Sequence, residues 1–111
     1  MRIDEYSFGE IIVNGKKFTN DIIIFKDRIE NWWRKEGHRV CLKDLNKIIK
    51  EQPEIIIIGL GFYGVMKVDE SVKEFLKEKG IKLIEKNSKE ACMLYNNMKN
   101  KNVVLAIHLT C

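Results

Sequence analysis

The sequence predicts an α/β domain, a mixed β-sheet with helices packed on it. Three observations carry this. Ile55-Ile56-Ile57-Ile58 is a run of β-branched apolar residues, the pattern of a strand buried on both faces in the middle of a parallel sheet. The second half of the chain alternates helical spacing with short apolar runs, in the order α-β-α-β-α-β, which joins parallel neighbours through crossover helices. Asn14-Gly15 lies between two strand-like segments, and both residue types accept the positive φ that a tight hairpin turn demands, so antiparallel pairing is expected near the amino terminus.

The elements follow in order. Tyr6 to Val13 alternates loosely and reads as a strand, with a second beginning at Lys16-Lys17-Phe18 beyond the turn. Asp21 to Phe25 is a further apolar strand. Ile29 to Val40 mixes a short strand with a loop, around Gly37. Leu42, Leu45, Ile48 and Ile49 keep helical spacing, and Pro53 lies just past that helix. After the Ile55–Ile58 strand, Val72, Phe75 and Leu76 mark a helix with two candidate caps, Asp69 or Ser71 with Glu74, and Gly80 as its stop. Ile81 to Glu85 is a strand. Asn87 and Glu90 have capping-box spacing and open a helix with Ala91, Leu94, Tyr95 and Met98 on its inner face, broken by Asn100-Lys101-Asn102. Val103 to Leu109 is the last apolar strand.

At 111 residues the chain reads as one domain over 1–111, able to bury a core without disulfides or metals. Cys41, Cys92 and Cys111 are odd in number and widely spaced, which fits a reducing cytoplasm and neither a disulfide framework nor a zinc cluster. No apolar run approaches the roughly 18–20 residues of a membrane span, and Met1–Glu5 has no signal-peptide core. The net charge of +4 is spread among interspersed lysines and acids, so most of it is expected to be solvated surface.

Gly59, Gly61 and Gly64 follow the buried strand as G-x-G-x-x-G, at the strand end where α/β proteins bind ligands. Glu85 even falls where a ribose-binding acid would sit. Against a dinucleotide site, the next helix starts five or more residues after Gly64, so its dipole does not face the loop, and the chain is too short for two mononucleotide-binding halves. The glycines then either turn the chain over the sheet or line a pocket for another anion or small molecule. No catalytic constellation is complete. His38 and His108 are the only histidines, seventy positions apart; metal-ligand spacings are absent, and no cofactor is expected. His108 reads as a satisfied core histidine and Cys92 as a small hydrophobe. Cys111 reads as exposed unless the last strand is pinned.

Four segments in order make the chain resemble the small Mth-type domain family of unassigned activity, which includes the adipogenesis-associated Mth-domain protein and NADH dehydrogenase complex assembly factor 3. They are Phe8-Gly9 with Ile11, Val13 and Asn14-Gly15; Trp33-Arg34 followed by Gly37-His38; Pro53-Glu54 through Gly59-Leu60-Gly61; and Ser88 to Asn96 with Ala91, Tyr95 and Asn96. Ser88 stands where the family commonly has threonine. The resemblance implies a compact three-layer fold around a mixed sheet and, through its eukaryotic members, a link to respiratory-complex assembly. It carries no reaction. Carried over residue by residue, it implies a candidate pocket of Gly59, Gly61 and Phe62 from the glycine loop, Arg34 and His38 from the aromatic segment, and Tyr95 and Asn96 from the last helix. A guanidinium, an imidazole and backbone donors would suit an anion.

Trp32 and Trp33 cannot both point inward on a strand, so one is expected on a partner surface. The favoured reading is a non-enzymatic binding module of the assembly-factor type that recognises a protein partner. The alternative is a small-molecule or anion binder using the glycine loop, with room for an enzymatic activity at the same pocket. Trp32, Trp33, Arg34, Lys35 and Arg39 would make a stacking platform for nucleic acid, but the segment is short and the charge small, which leaves that reading the weakest.

Overall fold

The computed structural model describes residues 1–98 and 101–111. The chain opens with a three-stranded antiparallel meander, β1 (Ile3–Ser7), β2 (Glu10–Val13) and β3 (Lys16–Phe18). The single strand expected over Tyr6–Val13 is split by a turn at Phe8-Gly9. Gly9 there adopts φ +82° and donates its N–H to Leu109 O at 2.9 Å, so this turn is fixed by the far end of the chain. The turn at Asn14-Gly15 is as expected, with φ of +50° and +79° and Val13 opposite Lys16.

β4 (Ile22–Ile24) and β5 (Ile29–Asn31) follow, then a loop and the two-residue β6 (Arg39–Val40). The expected helix over Leu42–Ile49 is a 3-10 turn (Leu42–Leu45) running into α1 (Asn46–Lys50). β7 (Ile55–Leu60) extends the isoleucine run through Gly59. The two-residue β8 (Lys67–Val68), invisible in the sequence, pairs with β6. α2 (Glu70–Glu78) starts at the Asp69 cap rather than at Ser71. β9 (Lys82–Lys86) leads to α3 (Ser88–Asn96), whose cap Asn87 accepts the Glu90 N–H at 2.9 Å. Within the expected helix break at Asn100-Lys101-Asn102, Asn100 lies outside the described residues; α3 already ends at Asn96. The last strand is β10 (Val103–His108).

The main sheet is ordered β5-β4-β10-β7-β9 and is mixed: β10 and β9 run parallel to β7, whereas β4 runs antiparallel to β10 and β5. Strand alternation divides its apolar residues between two cores. Ile22, Ile24, Ile55, Ile57, Leu105 and Ile107 face the meander and α3. Ile23, Ile56, Ile58, Val104 and Ala106 face α1, α2 and the β6–β8 pair. The result is a compact three-layer α/β domain. Each isoleucine fully buried in these layers contributes about 1.5–3 kcal/mol, and this two-sided burial explains the absence of polar alternation in β7.

Asn96 fastens the outer layer to α3. Its Oδ1 accepts the Ile3 N–H at 3.0 Å and its Nδ2 donates to Ile3 O at 2.8 Å, so one amide side chain pairs with β1 as a strand would. Asn96→Ala is expected to cost about 1–2 kcal/mol, with faster hydrogen exchange at Ile3 but not in β7. Unchanged exchange at Ile3 would show that β1 is held without this clamp.

Candidate functional site

The chemistry concentrates at one end of the main sheet, where β10 and β7 finish and β4 begins. Continuing the β4–β10 register, in which Ile22 faces Ile107, sets Asp21 opposite His108. The two side chains meet, His108 Nδ1 lying 2.7 Å from Asp21 Oδ2. Asp21 Oδ1 accepts the Leu109 N–H at 2.8 Å, which pins the chain beyond β10. Arg34 Nη2 donates to Asp21 Oδ2 at 2.8 Å and to Gly37 O at 3.0 Å. Arg34 is thus no surface residue: its side chain is only 5% exposed, with the guanidinium 4.5 Å from the centre of the Trp32 ring.

This cluster has a definite electrostatic order. Burial pushes the Asp21 carboxyl up, but hydrogen bonds from His108 and the Leu109 amide, with Arg34, more than offset it and hold the group below the ordinary aspartate range. An ionised carboxylate only accepts, so the proton between the two residues belongs to His108 Nδ1. Arg34 Nη2, 3.1 Å from that nitrogen, is then a second donor converging on the same oxygen. His108 Nε2 and Arg34 Nε and Nη1 are buried and have no hydrogen-bond partner among the described residues. His108 is therefore satisfied on one edge only.

The loop over 32–38 is set by Asp44. Its backbone oxygen accepts Trp32 Nε1–H at 3.0 Å, and its carboxylate accepts the amides of Lys35 at 3.2 Å and Cys41 at 2.9 Å. This settles the tryptophan pair: Trp32 is buried and Trp33 is 77% exposed. The Lys67 N–H donates to His38 O at 2.9 Å, alongside the β6–β8 pair, and fixes the backbone of His38. The His38 ring stands edge-on to His108, centroids 6.1 Å apart, with Nε2 3.0 Å from Cys111 Sγ.

The glycine loop lies beside this cluster with its amides engaged. Gly61 N–H donates to Ser88 Oγ at 2.9 Å, and Ser88 Oγ–H donates to His108 O at 2.5 Å. Phe62 N–H reaches Thr110 O at 3.2 Å, and Gly64 N–H reaches Gly61 O at 3.1 Å. A Cβ on Gly59 would lie 2.8 Å from Ile107 Cγ1, so that glycine makes room for the neighbouring strand. Phe62 faces outward into a group of rings. Its centroid is 5.7 Å from Phe8 and 5.0 Å from Tyr63, and all three residues are exposed.

Of the residues singled out in the sequence, Gly59, Gly61, Phe62, Arg34 and His38 thus share one end of the sheet. Tyr95 and Asn96 do not join them. Tyr95 lines a separate hollow with Met1, Lys26 and Val103, the last at the start of β10, about 16 Å along the strand from His108. Asp21, Ser88, His108 and Cys111 were not placed in the site by sequence reasoning. A polar residue opening one apolar strand and another closing a second was the signal for Asp21 and His108.

The comparisons with known proteins agree with this fold. The chain is 23% identical over 111 residues to NADH dehydrogenase [ubiquinone] 1 alpha subcomplex assembly factor 3 of Xenopus tropicalis, covering 98% of this chain and 60% of that protein, so it spans less than two thirds of that relative. The crystal structure of conserved hypothetical protein PH1505 from Pyrococcus horikoshii OT3 superimposes with a TM-score of 0.92 at 29% identity over the whole of both chains. The structure named MT938 does so with a TM-score of 0.84 at 24% identity, covering 99% of this chain and 98% of that one. The family model described as protein of unknown function DUF498/DUF598 matches residues 3–108, and the chain belongs to that family, the Mth-type group its four segments resemble.

Proposed function

We propose that this chain is a binding module of the assembly-factor type that recognises a protein partner through Phe8, Phe62 and Tyr63. One observation carries the reading: three large rings, Phe62 edge to face with both Phe8 and Tyr63, stand exposed at the tips of two loops. Aromatic clusters of this kind supply the anchor residues of protein interfaces, because they bury a large area for little lost side-chain entropy. Both loops are braced from behind by the strand end, Gly9 N–H on Leu109 O and Phe62 N–H on Thr110 O, so the surface is ordered before a partner arrives. The similarity to a protein named as an assembly factor supports the same reading.

The competing reading, a small-anion pocket on the glycine loop, is supported by the Arg34 donors that have no partner among the described residues. It is weakened because the Gly61, Phe62 and Gly64 amides are engaged within the chain.

The test is a photo-reactive phenylalanine analogue at position 63, compared with the same analogue at exposed position 93 on α3. A discrete foreign protein cross-linked only from position 63, whose affinity then falls about 30-fold or more with Phe62→Asp, is the expected result. Cross-links between copies alone, or equal capture from both positions, would overturn the reading.

A further inference from the structure

We infer that His38, His108 and Cys111 form a binding site for a borderline divalent metal ion such as Zn²⁺. The two histidines lie seventy positions apart in the sequence, but the sheet delivers His108 from the end of β10 and the β6–β8 pair delivers His38 beside it. Cys111 is brought back to both by the pinning of Leu109 on Asp21. One ligand atom from each of the three residues lies within 4.8 Å of the other two. A tetrahedral ion with bonds of about 2.0–2.1 Å to nitrogen and 2.3 Å to sulfur spaces its ligands about 3.3–3.6 Å apart. His38 Nε2 and Cys111 Sγ now stand 3.0 Å apart, so a small rotation of the exposed His38 ring opens the required gap.

A second, independent observation points to a ligand. The His108 side chain is only 9% exposed, yet its Nε2 has no partner among the described residues, and Nε2 is the ring nitrogen turned away from Asp21 and so the one open to coordinate a metal. Burying such a group unpaired costs free energy that coordination would recover. Asp21 behind Nδ1 completes the carboxylate–histidine arrangement that orients metal-binding imidazoles. Arg34 does not oppose the ion directly: its Nη2 contacts the Nδ1 edge of the ring, and Asp21 neutralises it. Two imidazoles and a thiolate select zinc over magnesium or calcium, which prefer oxygen. Three protein ligands leave a fourth position for water or for a donor from another molecule.

Cobalt(II) titrated into the reduced 111-residue chain tests this. A thiolate-to-cobalt charge-transfer band and tetrahedral visible bands are expected, saturating at one ion per chain and bleached by Zn²⁺. Cys111→Ser should remove the charge-transfer band. His38→Ala should weaken cobalt binding by about tenfold or more. Both side chains lie at the surface end of the cluster, so circular dichroism should show these variants folded, and Cys41→Ser should behave as the wild type. No charge-transfer band in the wild type, or one that survives Cys111→Ser, would overturn the assignment.

Discussion

A Gly61→Val chain is expected to lose about 2–6 kcal/mol of stability, from backbone strain and overpacking acting together. Gly61 sits at φ +103°, outside the range a β-branched residue tolerates. A Cβ there would also press on Thr110 O and lie 2.9 Å from the Cys111 carbonyl carbon, and backbone cannot swing aside as a flexible side chain would. Gly64→Ala is the control. Its φ is also positive, at +68°, but its Cβ would meet only Asn87 Cβ at 3.7 Å, so only the backbone term of about 1–2 kcal/mol applies. Urea unfolding of both variants separates the two terms. Equal losses would mean that the segment after β10 does not pack against Gly61.

Arg34→Ala is expected to cost about 3–5 kcal/mol, the range for removing one partner of a buried ion pair. The loss strips Asp21 of one donor, uncovers the Trp32 ring and frees Gly37 O. Arg34→Lys should recover only part of it. Asp21 and Gly37 are both reached by the one Nη2 nitrogen, a job an ammonium can share, but an ammonium has no planar group to lie over the indole. A change below about 0.5 kcal/mol in Arg34→Ala, typical of surface positions, would show the guanidinium to be solvated.

The parts of the fold that the sequence announces are those whose signal is local. The isoleucines of β7 and the Asn14-Gly15 turn each need only a few neighbours to be read. The turn at Phe8-Gly9 escaped because it is held from Leu109, a hundred positions away, while apolar residues continue on both sides of it. β6 and β8 are two residues each, too short for any period. Within the site, the glycine loop and the segment bearing Arg34 and His38 were visible, but Asp21, Ser88, His108 and Cys111 were not. Asp21 meets His108 only through a register between distant strands. The burial of Trp32 rather than Trp33 rests on contacts with distant residues, among them its hydrogen bond to Asp44 O and its place in the core beside Val40 and Leu45. Tyr95 and Asn96 fell away for a geometric reason. Ser88, at the start of α3, touches Gly61, and a helix rising 1.5 Å per residue carries Asn96 about 12 Å from that contact.

The placement of β10 between β4 and β7 also bears on how the molecule comes together. Without residues 103–108, the β5–β4 ribbon and the β7–β9 ribbon share no ladder, and each presents a bare edge to water. The strand that joins them is the last to be synthesised of all those in the sheet. Its partners lie roughly fifty and eighty positions upstream, separations that place assembly among the slower, high-contact-order foldings. The same six residues that finish the sheet also deliver His108 to Asp21, so an emerging chain has no assembled polar cluster until its architecture is closed.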